Sequence, residues 1–88
     1  MRARLRALKT AAALEVEADV AGAPVALRRA GWPRARAVRR VHDRWRVVDE
    51  WWRERRVERL YHLVELEGDL RLTLYHDLVD DAWFEQRD

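Results

Sequence analysis

Eighty-eight residues with no cysteine and a formal net charge of +2 define one small domain that has neither disulfides nor thiolate metal sites to stabilise it. The longest apolar run, Ala11–Leu14, is far too short for a membrane span or a signal-peptide core, so a soluble cytoplasmic protein with no membrane contact is expected. At this size a single core buries roughly 60–65% of the unfolded surface, and five tryptophans are a direct way to gain burial per residue.

In chain order, residues 1–12 fit a short basic helical or frayed arm, because Leu5, Leu8 and Ala12 are spaced for one helical face. Residues 13–88 then read as a single small β domain. Leu14-Glu-Val-Glu-Ala-Asp-Val20 alternates apolar and acidic residues as a half-buried strand does. Ala21-Gly-Ala-Pro24 supplies a turn, and Val25 and Leu27 continue the apolar phase. Gly31-Trp32-Pro33 breaks the chain again.

Residues 34–48 are ambiguous. Ala35, Ala37, Val41, Trp45 and Val47 share a strand face with Arg39 and Asp43, whereas Val38, Val41 and Trp45 also suit a helical turn. A bent or bulged strand ending in Trp45-Arg-Val-Val48 reconciles the mixed face without burying Arg39. Trp45 alternates with Val47 and is expected to point into the core. Val57–Glu67 and Leu70–Asp77 form the clearest hairpin, turning at Glu67-Gly-Asp69, with Leu60, His62, Val64 and Leu66 facing Leu70, Leu72, Leu74 and His76. A short last strand, Ala82–Arg87, follows the turn at Asp80-Asp81. The expected fold is mainly all-β: about six short strands in a curled antiparallel sheet or small barrel.

Arginine occurs 17 times and lysine once, while Ile, Asn, Ser and Cys are absent. That pattern follows GC-rich codon usage, so Arg in place of Lys says little. Its distribution says more. Residues 28–47 carry eight arginines against Asp43 alone, and residues 60–88 set eight acids against Arg71 and Arg87. Such a split makes either a basic face with an acidic face, as in nucleic-acid modules, or two neighbouring strands that neutralise one another.

The polar inventory opposes catalysis. With no Ser or Cys, and Thr only at 10 and 73, an acyl-transfer nucleophile is nearly excluded. His42, His62 and His76 are the near-neutral acid–base groups. Adjacent side chains on a strand point to opposite faces, so neither His42-Asp43 nor His76-Asp77 chelates a metal by itself. Satisfied or solvent-facing histidines are expected, with no cofactor or metal. What remains is Arg44-Trp-Arg-Val-Val-Asp-Glu-Trp-Trp-Arg53, where guanidinium groups and indoles combine phosphate contact with stacking. Trp51 and Trp52 point opposite ways if extended, so at least one exposed indole flanked by Arg53 or Arg55 is expected.

From Leu14 onward the chain resembles a small bacterial domain family that occurs beside, or at the C-terminus of, ImuB-like Y-family polymerases of the damage-inducible mutasome. The residues that carry the resemblance are Gly22-x-Pro24, Val41-His-Asp-Arg-Trp-Arg-Val47 with Trp51-Trp52 after it, Arg59-Leu-Tyr61, Leu74-Tyr-His-Asp-Leu78, and Trp83-Phe-Glu-Gln-Arg87. His62 and Phe84 stand where the family pattern has Tyr, and His76 where it has Arg. The resemblance implies an association with translesion DNA synthesis and assigns no activity. The expected function is a non-enzymatic accessory module that contacts an ImuB-like polymerase, another mutasome protein or DNA. Arg39, Arg40, Arg44, Arg46 and Arg53 would supply phosphate or partner contacts, and Trp51 or Trp52 the stacking or docking group. The alternative is a protein–protein adaptor that binds no nucleic acid and uses a strand edge and the Trp pair.

Overall fold

In a computed structural model, residues 11–49 and 56–87 are described. They form six antiparallel strands: β1 (Ala11–Ala18), β2 (Pro24–Arg29), β3 (Arg36–Asp49), β4 (Val57–Leu66), β5 (Leu70–Asp77) and β6 (Ala82–Gln86). Each strand pairs with its neighbour in sequence, and β1 pairs with β6 to close a barrel. The all-β expectation holds, with no helix among the described residues. Of the helical or frayed arm expected over residues 1–12, the first ten lie outside the described residues, and Ala11 and Ala12 belong to β1. β1 begins at Ala11, two residues before the anticipated start of the β domain, and Ala11 and Ala12 pair with Gln86 and Glu85.

Turn chemistry sets the corners. The Asp19 carboxylate accepts hydrogen bonds from the Ala21 and Ala23 amides (2.9 and 3.0 Å), and Gly22 takes the left-handed conformation (φ 89°) needed to finish the β1–β2 turn. This early turn corrects the alternation expected through Val20: β1 ends at Ala18, and Val20 is fully exposed. The next expectation fails in part as well, because Leu27 is buried while Val25 is 40% exposed. At the β5–β6 turn the Asp77 carboxylate accepts from the Val79 and Asp80 amides.

The core is built from Leu14, Leu27, Val64, Leu66, Leu72 and Leu74, with Val16, Trp32, Val38, Leu70 and Trp83 packed against it. β4 and β5 supply most of it because their period-2 pattern meets register: Val64 pairs with Leu72, His62 with Leu74 and Leu66 with Leu70. The opposite face of the same strands carries an aromatic row across the sheet. Trp45 pairs with Tyr61, Tyr61 with Tyr75 and Tyr75 with Phe84.

β3 contains the expected irregularity. Its register against β4 shifts twice, between Val38 and Arg40 and between Val41 and Asp43. Each shift changes which face the following residues occupy, so Val38, Val41 and Arg44 all lie on the barrel side although they do not alternate.

Candidate docking surface

β3 is 14 residues long, whereas β2 has six and touches β3 only through Ala26↔Ala37 and Leu27↔Arg36. From Val38 onward β3 has β4 on one side and, among the described residues, no strand on the other. Arg39 to Val48 are ten consecutive exposed residues, covering both faces of the strand. A strand of a closed barrel ordinarily hides one face; this stretch hides neither.

The exposure corrects the inward placement of Trp45. The ring is 40% exposed and lies on the outer face, stacked on Tyr61 with centroids 5.3 Å apart and planes within 5°. Alternation with Val47 was real, since both side chains share a face, but that face is the outer one and Val47 is also exposed. Behind Trp45 the row continues through Tyr61–Tyr75 (5.0 Å) and Tyr75–Phe84 (5.3 Å). The Arg59 guanidinium sits 4.6 Å from the Tyr75 ring centre and donates to the Tyr61 hydroxyl (3.3 Å). Burial pushes the Tyr75 phenol above its ordinary range, against the opposing effect of the Arg59 charge. Trp45 therefore caps the exposed end of an aromatic ladder in which Tyr61 and Phe84 are half-buried and Tyr75 is buried. Sequence reasoning missed this row, although the parity of Tyr61, opposite to Leu60 and Leu66, and of Tyr75, opposite to Leu70, Leu72 and Leu74, marked it.

The arginines expected to form the site divide into two kinds. Arg39 pairs with Asp69 (3.3 Å), and Arg46 pairs with Glu58, which also accepts from Arg56 (2.6 Å). Arg40 lies opposite Glu65 in register and Arg44 opposite His62, and among the described residues neither guanidinium makes an ion pair. The Arg44 amide is held by the Asp43 carboxylate at 2.8 Å, a main-chain donor satisfied by a side chain. Trp51, Trp52 and Arg53 lie outside the described residues. Of the predicted site, β3 thus carries Arg39, Arg40, Arg44 and Arg46, with Arg44 and Arg46 on the barrel side and Arg40 and Trp45 on the outer side.

The histidines have three different environments. His42, set in the second irregularity of β3, contacts Glu65 (2.9 Å), and the interaction, together with the His42 charge, lowers the Glu65 carboxyl against a smaller burial effect. His76 contacts Asp81 (2.7 Å) and stacks on Trp83 at 4.2 Å. His62 departs from the expectation of a satisfied or solvent-facing ring: it is fully buried, and neither ring nitrogen has a hydrogen-bond partner among the described residues. Burial, with the charges of Arg44 and His76, lowers its pKa from 6.5 to about 4. Among the described residues no group of three His, Cys, Asp or Glu side chains converges as a metal-ligand set.

A second basic feature lies beside the β2–β3 contact. Trp32 has the Arg29 and Arg36 guanidiniums 5.2 and 4.6 Å from its ring centre. Arg29 is held by the nearly buried Glu85 through two 2.8 Å hydrogen bonds. Burial raises the Glu85 carboxyl, but hydrogen bonds from Arg29 and Arg87 outweigh it and leave the group below the usual carboxylate range. The Arg29–Glu85 pair ties β2 to β6. Comparisons with protein-family models, characterised proteins and solved structures find no match to the chain.

Proposed function

We propose that the domain is a non-enzymatic accessory module of translesion DNA synthesis that docks on a polymerase partner through β3. The observation that carries the docking reading is the run of ten exposed residues on a strand paired along one side. A lone basic surface would be weaker support, because Arg39 and Arg46 already have carboxylate partners. The link to an ImuB-like polymerase rests on the sequence resemblance, and the absence of Ser and Cys supports a binding role over acyl-transfer catalysis.

A second reading, single-stranded DNA binding, draws on Arg40, Arg44 and the exposed Trp45 ring, since cation-plus-stacking surfaces hold unpaired bases. Interferometry of the purified domain against an ImuB-like polymerase and against (dT)20 separates the two. The docking reading expects a polymerase complex that the triple variant Arg40→Glu, Arg44→Glu, Trp45→Ala weakens at least tenfold. No polymerase complex, together with (dT)20 binding whose log–log salt slope is about −0.7 per phosphate contact, would establish the second reading instead.

A further inference from the structure

We infer that the open side of β3 accepts an extended peptide in which acidic and apolar residues alternate, added to the sheet as a seventh strand along the part of β3 that β2 does not reach. The inference rests on the docking reading above and specifies the chemistry of the docked segment. β3 leaves the only described strand on that side after Ala37, so the main-chain groups of Arg39–Val48 that point away from β4 have no ladder partner among the described residues. Such a row pairs with a strand from another chain, main-chain hydrogen bonds giving affinity and alternate side chains giving specificity.

Register fixes the side-chain pattern. Arg44 and Arg46 lie opposite His62 and Leu60, on the barrel side, while Trp45 and Val47 lie opposite Tyr61 and Arg59, on the outer side. Over Arg44–Val47 the strand therefore offers cations on the barrel face and apolar surface on the outer face, whereas before the second break in register Val41 lies on the barrel side and Arg40 on the outer side. A neighbouring strand places its own side chains beside these, so carboxylates on one face and apolar groups on the other complete both rows. Between residues 39 and 48 the charge is four arginines to one aspartate, with Arg44 free of ion pairs among the described residues.

The same charge argues against other occupants. A second copy pairing β3 with β3 would set arginine-rich edges against each other, a like-charge arrangement that destabilises cross-strand pairs. Residues 1–9 of this chain carry Arg2, Arg4, Arg6 and Lys9 with no acid, so they lack the required complementarity. The acidic strands of the C-terminal half are already committed to the barrel.

The test uses the full chain and three ten-residue peptides: one alternating Glu with Val and Thr, the same peptide N-methylated at alternate residues, and one with Lys in place of Glu. Hydrogen exchange by NMR and fluorescence anisotropy read binding. The acidic peptide is expected to bind and to slow exchange at those amides of residues 39–48 that point away from β4. N-methylation and the Lys exchange should each weaken binding at least tenfold. Polymerase binding that leaves these amides unprotected, or acidic-peptide binding insensitive to N-methylation, would overturn strand addition while leaving the docking reading intact. Self-association through β3 at micromolar concentration, or (dT)20 binding in place of peptide binding, would also overturn it.

Discussion

β3 and β4 share the longest ladder in the molecule and differ almost completely in what surrounds them. β4 has a strand on each side, and His62, Val64 and Leu66 along its barrel face are fully buried. β3 has two breaks in register, one lasting neighbour and ten consecutive exposed residues. β-Propensity does not separate them, since β3 contains four valines and a tryptophan. Burial of a strand is decided by its neighbours on both sides, and β3 loses one of them after Ala37. An apolar residue on the barrel face of β4 therefore stabilises the fold, while one on β3 beyond Val38 is available for contact.

Side-chain truncation on the two strands' faces should show the contrast at its largest. Leu74, fully buried beside β4, should cost about 2–5 kcal/mol when replaced by Ala. Trp45, much the larger side chain, should cost only about 1 kcal/mol as Trp45→Ala, because it loses one stacked partner and part of its contact area. Urea unfolding of both variants measures the difference, and equal losses would place Trp45 in the core after all.

A smaller effect belongs to His62, the one flaw in the β4 face. Replacing a buried ring whose nitrogens have no hydrogen-bond partner among the described residues by Leu should stabilise the domain by about 1–3 kcal/mol at pH 7. The wild type should also carry a pH dependence that His62→Leu removes. The unfolded ring takes up its proton near 6.5 and the folded one near about 4, so the unfolded state binds more protons between these values. Stability is then complete above about pH 6.5 and falls as pH drops toward 4. Unfolding at pH 7 and pH 5 gives the slope, and an identical slope in wild type and variant would remove His62 as its source.

The same contrast explains what was legible in the sequence. The β4–β5 hairpin was readable to within a residue because alternation, a Gly turn and strand length all agreed. The irregular β3 was readable from its mixed pattern, but the fate of Trp45 was not. Alternation says which residues share a face, and only the arrangement of distant strands says whether that face is covered. Val20 failed for a local reason, since Asp19 starts the turn with its own carboxylate and ends the strand early. The basic run was visible as candidate surface. Which arginines stay available was not, because Glu58 reaches Arg46 across the β3–β4 ladder and Asp69 reaches Arg39 from the β4–β5 turn.

Hydrogen exchange of the free domain tests the central claim most directly, because β3 and β4 are compared within one molecule. Amides of residues 59–66 should exchange with free energies approaching that of global unfolding. Within residues 39–48, amides bonded to β4 should be protected and those pointing to the open side should exchange fast. Uniform protection along β3, at the level of β4, would mean that a strand already covers the open side, contradicting the account.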